Sequence, residues 1–288
     1  MRAFALEQPK ELAEAVALLA SRPDARLLAG GTDLIIRLRD GTIRTSTVVD
    51  VKRIRRLDAG IAESDGHLTF GSLAAMTEIA GDRRVRERYT ALAEGAAVVG
   101  SIQIRNRATL AGNACNASPA ADTTPALLVF GAVVVASGPD GERRIPIDAL
   151  FVRSGVTTLR PAEIVTRIEL PAAAGRWGST HLRRTRRRGH DLASVTIACA
   201  VSDAGETRLA YGSLGPRPIL AIDSSGVLAN PSSTDDARDE VFERLFAGAT
   251  PSASSMRASP EYRLAMLRVL GRRAVETAQA RLRGGAAA

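Results

Sequence analysis

Lysine is nearly missing from this chain: Lys10 and Lys52 are the only two among 39 basic residues, and the rest are arginine. Aromatic residues are scarce too, at 3%. A nucleic-acid-binding surface gathers its basic residues in a patch and interleaves them with aromatics on which bases stack. Here 31 acidic residues run through most of the basic stretches, so the net charge of +8 reads as an arginine-rich composition with no nucleic-acid partner. Cys115 and Cys199 are the only cysteines. Two isolated thiols make neither a disulfide framework nor a zinc site, and they cannot hold an iron–sulfur cluster alone. His67, His181 and His190 are scattered, so no metal site is expected. The longest apolar run, Ala126 to Ala136, is too short to span a bilayer. The segment Met1 to Pro9 lacks the apolar stretch of a signal peptide. A cytoplasmic protein with reduced thiols is expected.

Familiar catalytic motifs are absent as well. No GxGxxG follows a strand, which argues against a Rossmann dinucleotide site. There is no GxxxxGK[ST], HExxH, CxxC or GxSxG. Nothing resembles a substrate-transforming site built from side chains alone, and no catalytic residue is assigned.

What is present is an α+β pattern long enough for two domains. Glu11 to Ser21 has helical apolar spacing after Pro9. Arg26 to Ala29 reads as a strand, Asp33 to Arg39 as a helix and Thr47 to Val51 as a second strand. A strand at His67 to Gly71 is followed by helical spacing at Thr77 to Ala80 and Tyr89 to Val99. Arg105 to Asp122 reads as a long loop. Ala126 to Val135 is a buried helix running into a buried strand, and Pro139 to Glu142 is a hairpin turn before a strand at Arg143 to Ile147. After a strand at Glu163 to Leu170 and a linker at Pro171 to Gly175, three strands form a meander: His181 to Arg186, Ala193 to Ser202 and Glu206 to Leu214. Gly215-Pro216-Arg217-Pro218 ends it. Asp235 to Ala247 and Glu261 to Arg283 are amphipathic helices, and 284–288 is a frayed tail.

Two small-residue segments stand out. Thr109 to Asp122 (TLAGNACNASPAAD) carries one bulky apolar side chain, Leu110, among amides, hydroxyls and a closing carboxylate. It makes a poor core helix and a good backbone cradle. Gly112 lets a ligand approach the main chain, and Thr109, Asn113, Asn116 and Ser118 offer groups for phosphate and ribitol oxygens. Asp122 can accept from sugar hydroxyls or a ring N–H. The competing reading is a capped loop leading into a helix at Pro125 to Phe130, with Asp122 or Thr123 as its cap. Upstream lies Leu28-Ala29-Gly30-Gly31-Thr32-Asp33-Leu34, where two glycines and a following helix N-terminus suit an anion, or form an ordinary strand-to-helix turn. Together they suggest one extended ligand, such as a dinucleotide, held by two loops. The arginine run from Arg183 to Arg188 alternates along a strand, so its guanidinium groups cannot all serve one ligand.

In this order the motifs resemble the FAD-binding, or medium, subunit of the molybdenum hydroxylases, the family of xanthine dehydrogenase and carbon monoxide dehydrogenase. The likeness rests on Ala29 to Leu34, on Gln103-Ile104-Arg105-Asn106 leading into Thr109 to Asp122, and on Arg187 to Ala193. Gly212 to Pro218 and Tyr262 to Leu267 also match. The resemblance implies a two-subdomain FAD-binding domain of the vanillyl-alcohol-oxidase-like type over 1–176, split near residue 57. A C-terminal domain, 177–288, would hold a three-stranded antiparallel sheet with helices.

By the same resemblance, Leu28, Ala29, Gly30, Gly31, Thr32, Asp33 and Leu34 would hold the FAD pyrophosphate. Thr109, Gly112, Asn113, Cys115, Asn116 and Asp122 would contact flavin, ribitol and phosphates. Ser194 falls where some relatives carry a lysine beside the flavin that affects NAD chemistry. One branch of the family inserts a cysteine-bearing segment for an extra cluster, and this chain has no such cysteines. Molybdopterin and [2Fe–2S] centres would lie on a large and a small partner subunit, in a dimer of heterotrimers. Electrons would pass through FAD to an external acceptor such as NAD⁺, a quinone or O₂. Two alternatives remain: a standalone FAD oxidoreductase of related fold, and a basic nucleic-acid or scaffold protein that has lost FAD.

Overall fold

In the computed structural model, residues 2–284 except 173 and 188 are described. The tail at 285–288, one residue of the 171–175 linker and one of the arginine run thus lie outside the described residues.

Three apolar clusters organise the chain, each beneath a sheet. The first sheet is parallel, with strand Thr47–Asp50 between Ala5–Glu7 and Arg26–Leu28. Helix Leu12–Ser21 covers it, burying Leu12 and Ala15 with Val49, Val51, Ile54 and Leu57. The second sheet is antiparallel, in the order Ile61–Ser64, His67–Gly71, Ile164–Leu170, Val133–Gly138 and Gly141–Pro146. Helices Met76–Gly81, Thr90–Ala97, Leu110–Asn116 and Thr124–Val129 contribute to the largest cluster with it.

The third sheet is an antiparallel meander of four strands: Trp177–Arg184, Val195–Ser202, Thr207–Gly212 and Ile219–Asp223. The fourth strand corrects the expected three. Pro216 and Pro218 mark a break in sequence, yet the chain re-enters the sheet after them as an edge strand, where nearby proline costs no ladder bond. Every residue of Val195–Ser202 is buried. Successive side chains of a strand point to opposite faces, and here the two faces are sorted by size. Ala198 and Ala200 face the central cluster, while Ile197, Cys199 and Val201 join the C-terminal one. Small side chains on one face let the Thr90–Ala97 and Thr124–Val129 helices lie close; bulky ones on the other fill the space beneath the helices Asp235–Phe246 and Pro260–Gly284.

The segment expected to be one loop is also different. Leu110–Asn116 is a short helix, capped by Thr109, whose hydroxyl accepts from the Gly112 N–H at 3.0 Å. It ends at Ala117 in the left-handed region, φ 48°. Its small residues do not prevent burial; they permit it. Leu110, Ala111 and Ala114 enter the core, leaving Gly112, Asn113 and Asn116 on the other side, with Cys115 between, packed against the core.

Glu94 ties three elements of this architecture together. Its carboxylate accepts from the Thr180 hydroxyl at 2.9 Å, the His181 N–H at 2.8 Å and the Arg281 guanidinium at 2.6 Å. Arg281 also donates to the Ser179 carbonyl at 2.6 Å. Beside this tie the C-terminal helix presses onto strand Trp177–Arg184 at Gly178, where an added Cβ would run into the Ala278 carbonyl and lie 2.5 Å from the Leu282 nitrogen. Both obstacles are helix backbone and cannot rotate away. Gly178→Ala should therefore cost about 2–3 kcal/mol, measured as a lowered denaturant midpoint; an unchanged midpoint would show that the helix is not held this tightly.

Candidate functional site

The two small-residue segments meet. Gly30 sits so close to the Arg107 carbonyl that a Cβ there would overlap it. Gly31 has φ +76°, a conformation glycine adopts without strain. Asn116 Nδ2 donates to Asp33 Oδ1 at 3.2 Å, joining the segments directly across the gap. Lys52 pairs with Asp50 at 2.5 Å and reaches toward the Ala29 carbonyl at 3.4 Å, bracing the first turn from behind. Among the described residues, no acceptor takes the main-chain N–H groups of Gly30, Gly31, Thr32 or Asp33. A row of free amides at a glycine turn is an anion-binding arrangement.

Between the segments lies a cleft of about 850 Å³, near the upper end of the roughly 300–1,000 Å³ typical of small-molecule and cofactor sites. Ala29, Gly30, Gly31, Thr32, Asp33 and Leu34 line it from one side. Thr109, Gly112, Asn113, Cys115, Asn116 and Asp122 line it from the other. Two expected residues are not part of the lining. Leu28 lies in strand Arg26–Leu28, with its side chain packed at Gly31. Ser194 is buried, and its hydroxyl donates to the Arg184 carbonyl at 3.0 Å. It lies just before strand Val195–Ser202 and lines a second, smaller cavity.

Much of the wall is apolar: Val99, Ile104, Ile164, Val165 and Leu192. In sequence such residues are indistinguishable from core. Ile104 and Leu192 fall within the matching stretches Gln103 to Asn106 and Arg187 to Ala193, whereas Val99, Ile164 and Val165 carried no signal. Ser72 also lines the cleft, with a buried hydroxyl that finds no partner among the described residues.

Polar groups in the cleft are held by specific bonds. Asn113 Oδ1 accepts from the Thr123 hydroxyl at 2.7 Å, which orients its amide. Cys115 has no charged neighbour to ionise it; burial pushes its thiol up to about 12. Asp122 is buried at the cleft's inner edge. Arg183 donates to its Oδ2 at 2.8 Å and Thr196 to its Oδ1 at 3.3 Å. Burial pushes its carboxyl up to about 6, with Arg183 pulling the other way, so the group is ionised and paired at neutral pH.

His181 completes the chain, its Nε2 lying 2.9 Å from the Thr196 hydroxyl. Thr196 has one proton and gives it to Asp122, so Nε2 must carry its own. Burial lowers His181 to about 4, keeping it neutral. A lowered histidine pKa adds stability above the unfolded value of about 6.5 and loses it as pH falls toward 4. Wild-type stability relative to His181→Gln should therefore rise across that window, by about 3 kcal/mol at most. Urea titrations at several pH values test this, and a constant difference would place His181 in contact with water.

Residues 2–173 match the family described as the FAD binding domain in molybdopterin dehydrogenase. Residues 180–278 match the CO dehydrogenase flavoprotein C-terminal domain. The chain is 31% identical over 276 residues to the xanthine dehydrogenase FAD-binding subunit of Escherichia coli O157:H7, covering 93% of this chain and 94% of that one. It is 29% identical over 283 residues to the carbon monoxide dehydrogenase medium chain of Hydrogenophaga pseudoflava, covering 96% and 98%. Among solved structures, carbon monoxide dehydrogenase from the same organism superposes with a TM-score of 0.89 at 28% identity, over 98% of this chain and 99% of that one. Quinoline 2-oxidoreductase from Pseudomonas putida 86 gives 0.86 at 26% identity, over 97% and 98%. The fold, the two-loop cleft and these likenesses converge: the chain belongs to the FAD-binding subunits of the molybdenum hydroxylase family of oxidoreductases.

Proposed function

We propose that this chain holds FAD in the two-loop cleft and relays electrons within a larger complex. The observation that carries the reading is the row of free amides from Gly30 to Asp33 facing, across one cleft, the polar side of helix Leu110–Asn116. The amides would donate to the pyrophosphate. Thr32, Asn113 and Asn116 supply hydroxyl and amide groups for ribitol and phosphate oxygens. Asp122, oriented by Arg183 and Thr196, retains lone pairs for a donor on the ligand. The neutral Cys115 and the apolar wall from Val99 to Leu192 would exclude water around the ring. Bound FAD supplies the redox chemistry; the side chains here only position and shield it.

The same reading assigns electrons from a large molybdopterin subunit, by way of [2Fe–2S] clusters on a small subunit, to an external acceptor such as NAD⁺, a quinone or O₂. A dimer of heterotrimers in the cytoplasm is the assembly proposed. Among the described residues, no helix is long and apolar enough to cross a membrane. Breaks are proposed near residues 57 and 176, between the two parts of the FAD domain and the C-terminal domain; each apolar cluster lies mostly within one part, with Ile164 joining the first and Ala198, Ala200 and Ala210 the central one.

Gly112 gives a clean test. It opens on the cleft, and an added Cβ would meet only the Thr109 hydroxyl, at 2.8 Å. Gly112→Leu should fill ligand space without disturbing the core. The wild-type chain should purify with flavin absorbance near about 450 nm. The variant should lose most of it while its far-UV circular dichroism is retained. Full flavin content in the variant would remove this helix from the site, and a flavin-free wild type, alone and in complex, would overturn the reading.

A further inference from the structure

The segment that gives His190, Asp191 and Leu192 to the cofactor cleft gives Arg184, Thr185, Arg186 and Ser194 to a second cavity, of about 390 Å³. Its other wall is Arg257, Ala258, Ser259 and Tyr262, the approach to the 25-residue helix Pro260–Gly284 and its first turn. Three guanidinium groups therefore share one small space. Arg184 Nε is held by the Tyr262 hydroxyl at 2.8 Å, and Arg257 reaches toward the Ala193 carbonyl at 3.5 Å.

A fourth guanidinium lies directly behind this wall. Arg263 is 4% exposed, and its Nε donates to the carbonyl of Ser194 at 3.1 Å. Its Nη1 is buried with no hydrogen-bond partner among the described residues. Burial, followed by the charge of Arg257, holds the Arg263 guanidinium below its ordinary pKa; burial and then Arg186 do the same to Arg257. Among the described residues, the one carboxylate paired with this group is Asp191, 3.3 Å from Arg186. Glu261, nearby in the helix, is exposed and bonds Ser259 instead.

Arg184 and Arg186 are exposed, but Arg257 and Arg263 are withdrawn from water beside them with one paired carboxylate in the group, and the start of a long helix adds positive potential to the same spot. An unpaired buried guanidinium is itself costly. A phosphate dianion among Arg184, Arg186 and Arg257 would offset the clustered positive charge, since the planar fork of arginine matches its oxygens in pairs. The volume is at the low end for ligand pockets, which suits one small phosphorylated molecule.

We propose that this cavity binds a phosphate group, free or carried on a nucleoside phosphate. The site is separate from the flavin cleft and does not depend on what that cleft holds. It is nevertheless mechanically linked to it: an anion drawing Arg186 away from Asp191 would loosen the segment that supplies His190, Asp191 and Leu192 to the cleft.

Calorimetric titration of the full chain, loaded with FAD so that no nucleotide subsite in the cleft is open, tests the proposal at low ionic strength. Inorganic phosphate and ADP are the two probes. Saturable binding of at least one is expected, weakened about tenfold or more by Arg184→Gln and by Arg257→Gln with flavin content unchanged. Binding of both alike would show that free phosphate suffices, and binding of ADP alone would show that the nucleoside is needed. Neither side chain is core, and unchanged thermal melting would exclude misfolding as the cause. No saturable binding of either probe, or binding indifferent to both substitutions, would overturn the proposal. So would variants that only weaken association with partner chains, because the cluster would then be a docking surface for an acidic protein segment.

Discussion

Backbone lying against backbone, with no room for a side chain between, is the constraint on which this molecule depends. Gly30 meets the Arg107 carbonyl, Gly95 brings the Thr90–Ala97 helix to the Asp122 carbonyl, and Gly212 brings the meander to the Pro119 carbonyl. In the last two, an added Cβ would sit 2.7 Å and 2.5 Å from carbonyl oxygen. The stretch from Pro119 to Asp122 is thus gripped from both sides by main chain. Ser213 strengthens the grip with an N–H donated to the Pro119 carbonyl at 2.6 Å. A cofactor cleft needs walls that hold their shape without a ligand, and contacts of this kind provide it because backbone has few ways to yield.

The C-terminal domain is for that reason part of the site rather than an appendage to it. Asp122 belongs to the segment that closes the cleft, yet the groups that keep it oriented, Arg183 and Thr196, come from the meander. Burial alone would favour its neutral form; the cation from across the domain boundary opposes that. The all-buried strand Val195–Ser202 has the same double role, with one face serving each domain.

The periodic elements were legible in the sequence because their burial is one-sided. Leu12–Ser21 and Pro260–Gly284 show an apolar stripe, and Val133–Gly138 shows a run too apolar for anything but the interior. The two glycine-bearing segments were legible as a cradle because small polar residues have little else to do in such numbers. Leu110–Asn116 was not legible as a helix, since its burial rests on alanines pressed close rather than on large side chains. Ile219–Asp223 was hidden by the prolines before it. The apolar wall of the cleft was hidden for a different reason: Val99, Ile164 and Val165 are ordinary core residues until the folded chain leaves one side of them open. Ser194 lines the second of two neighbouring cavities, something a position along the chain does not reveal.

The placement of Cys115 has a bearing on how the protein ages. A flavin that loses electrons to oxygen generates hydrogen peroxide at its own doorstep, and peroxide attacks thiolates far faster than thiols. With its ionisation pushed up to about 12, Cys115 is almost wholly protonated at neutral pH, and Cys199, buried in the meander, is driven in the same direction. The chain therefore keeps both of its sulfhydryls chemically quiet, one of them in the wall of the cleft where the oxidant would be made.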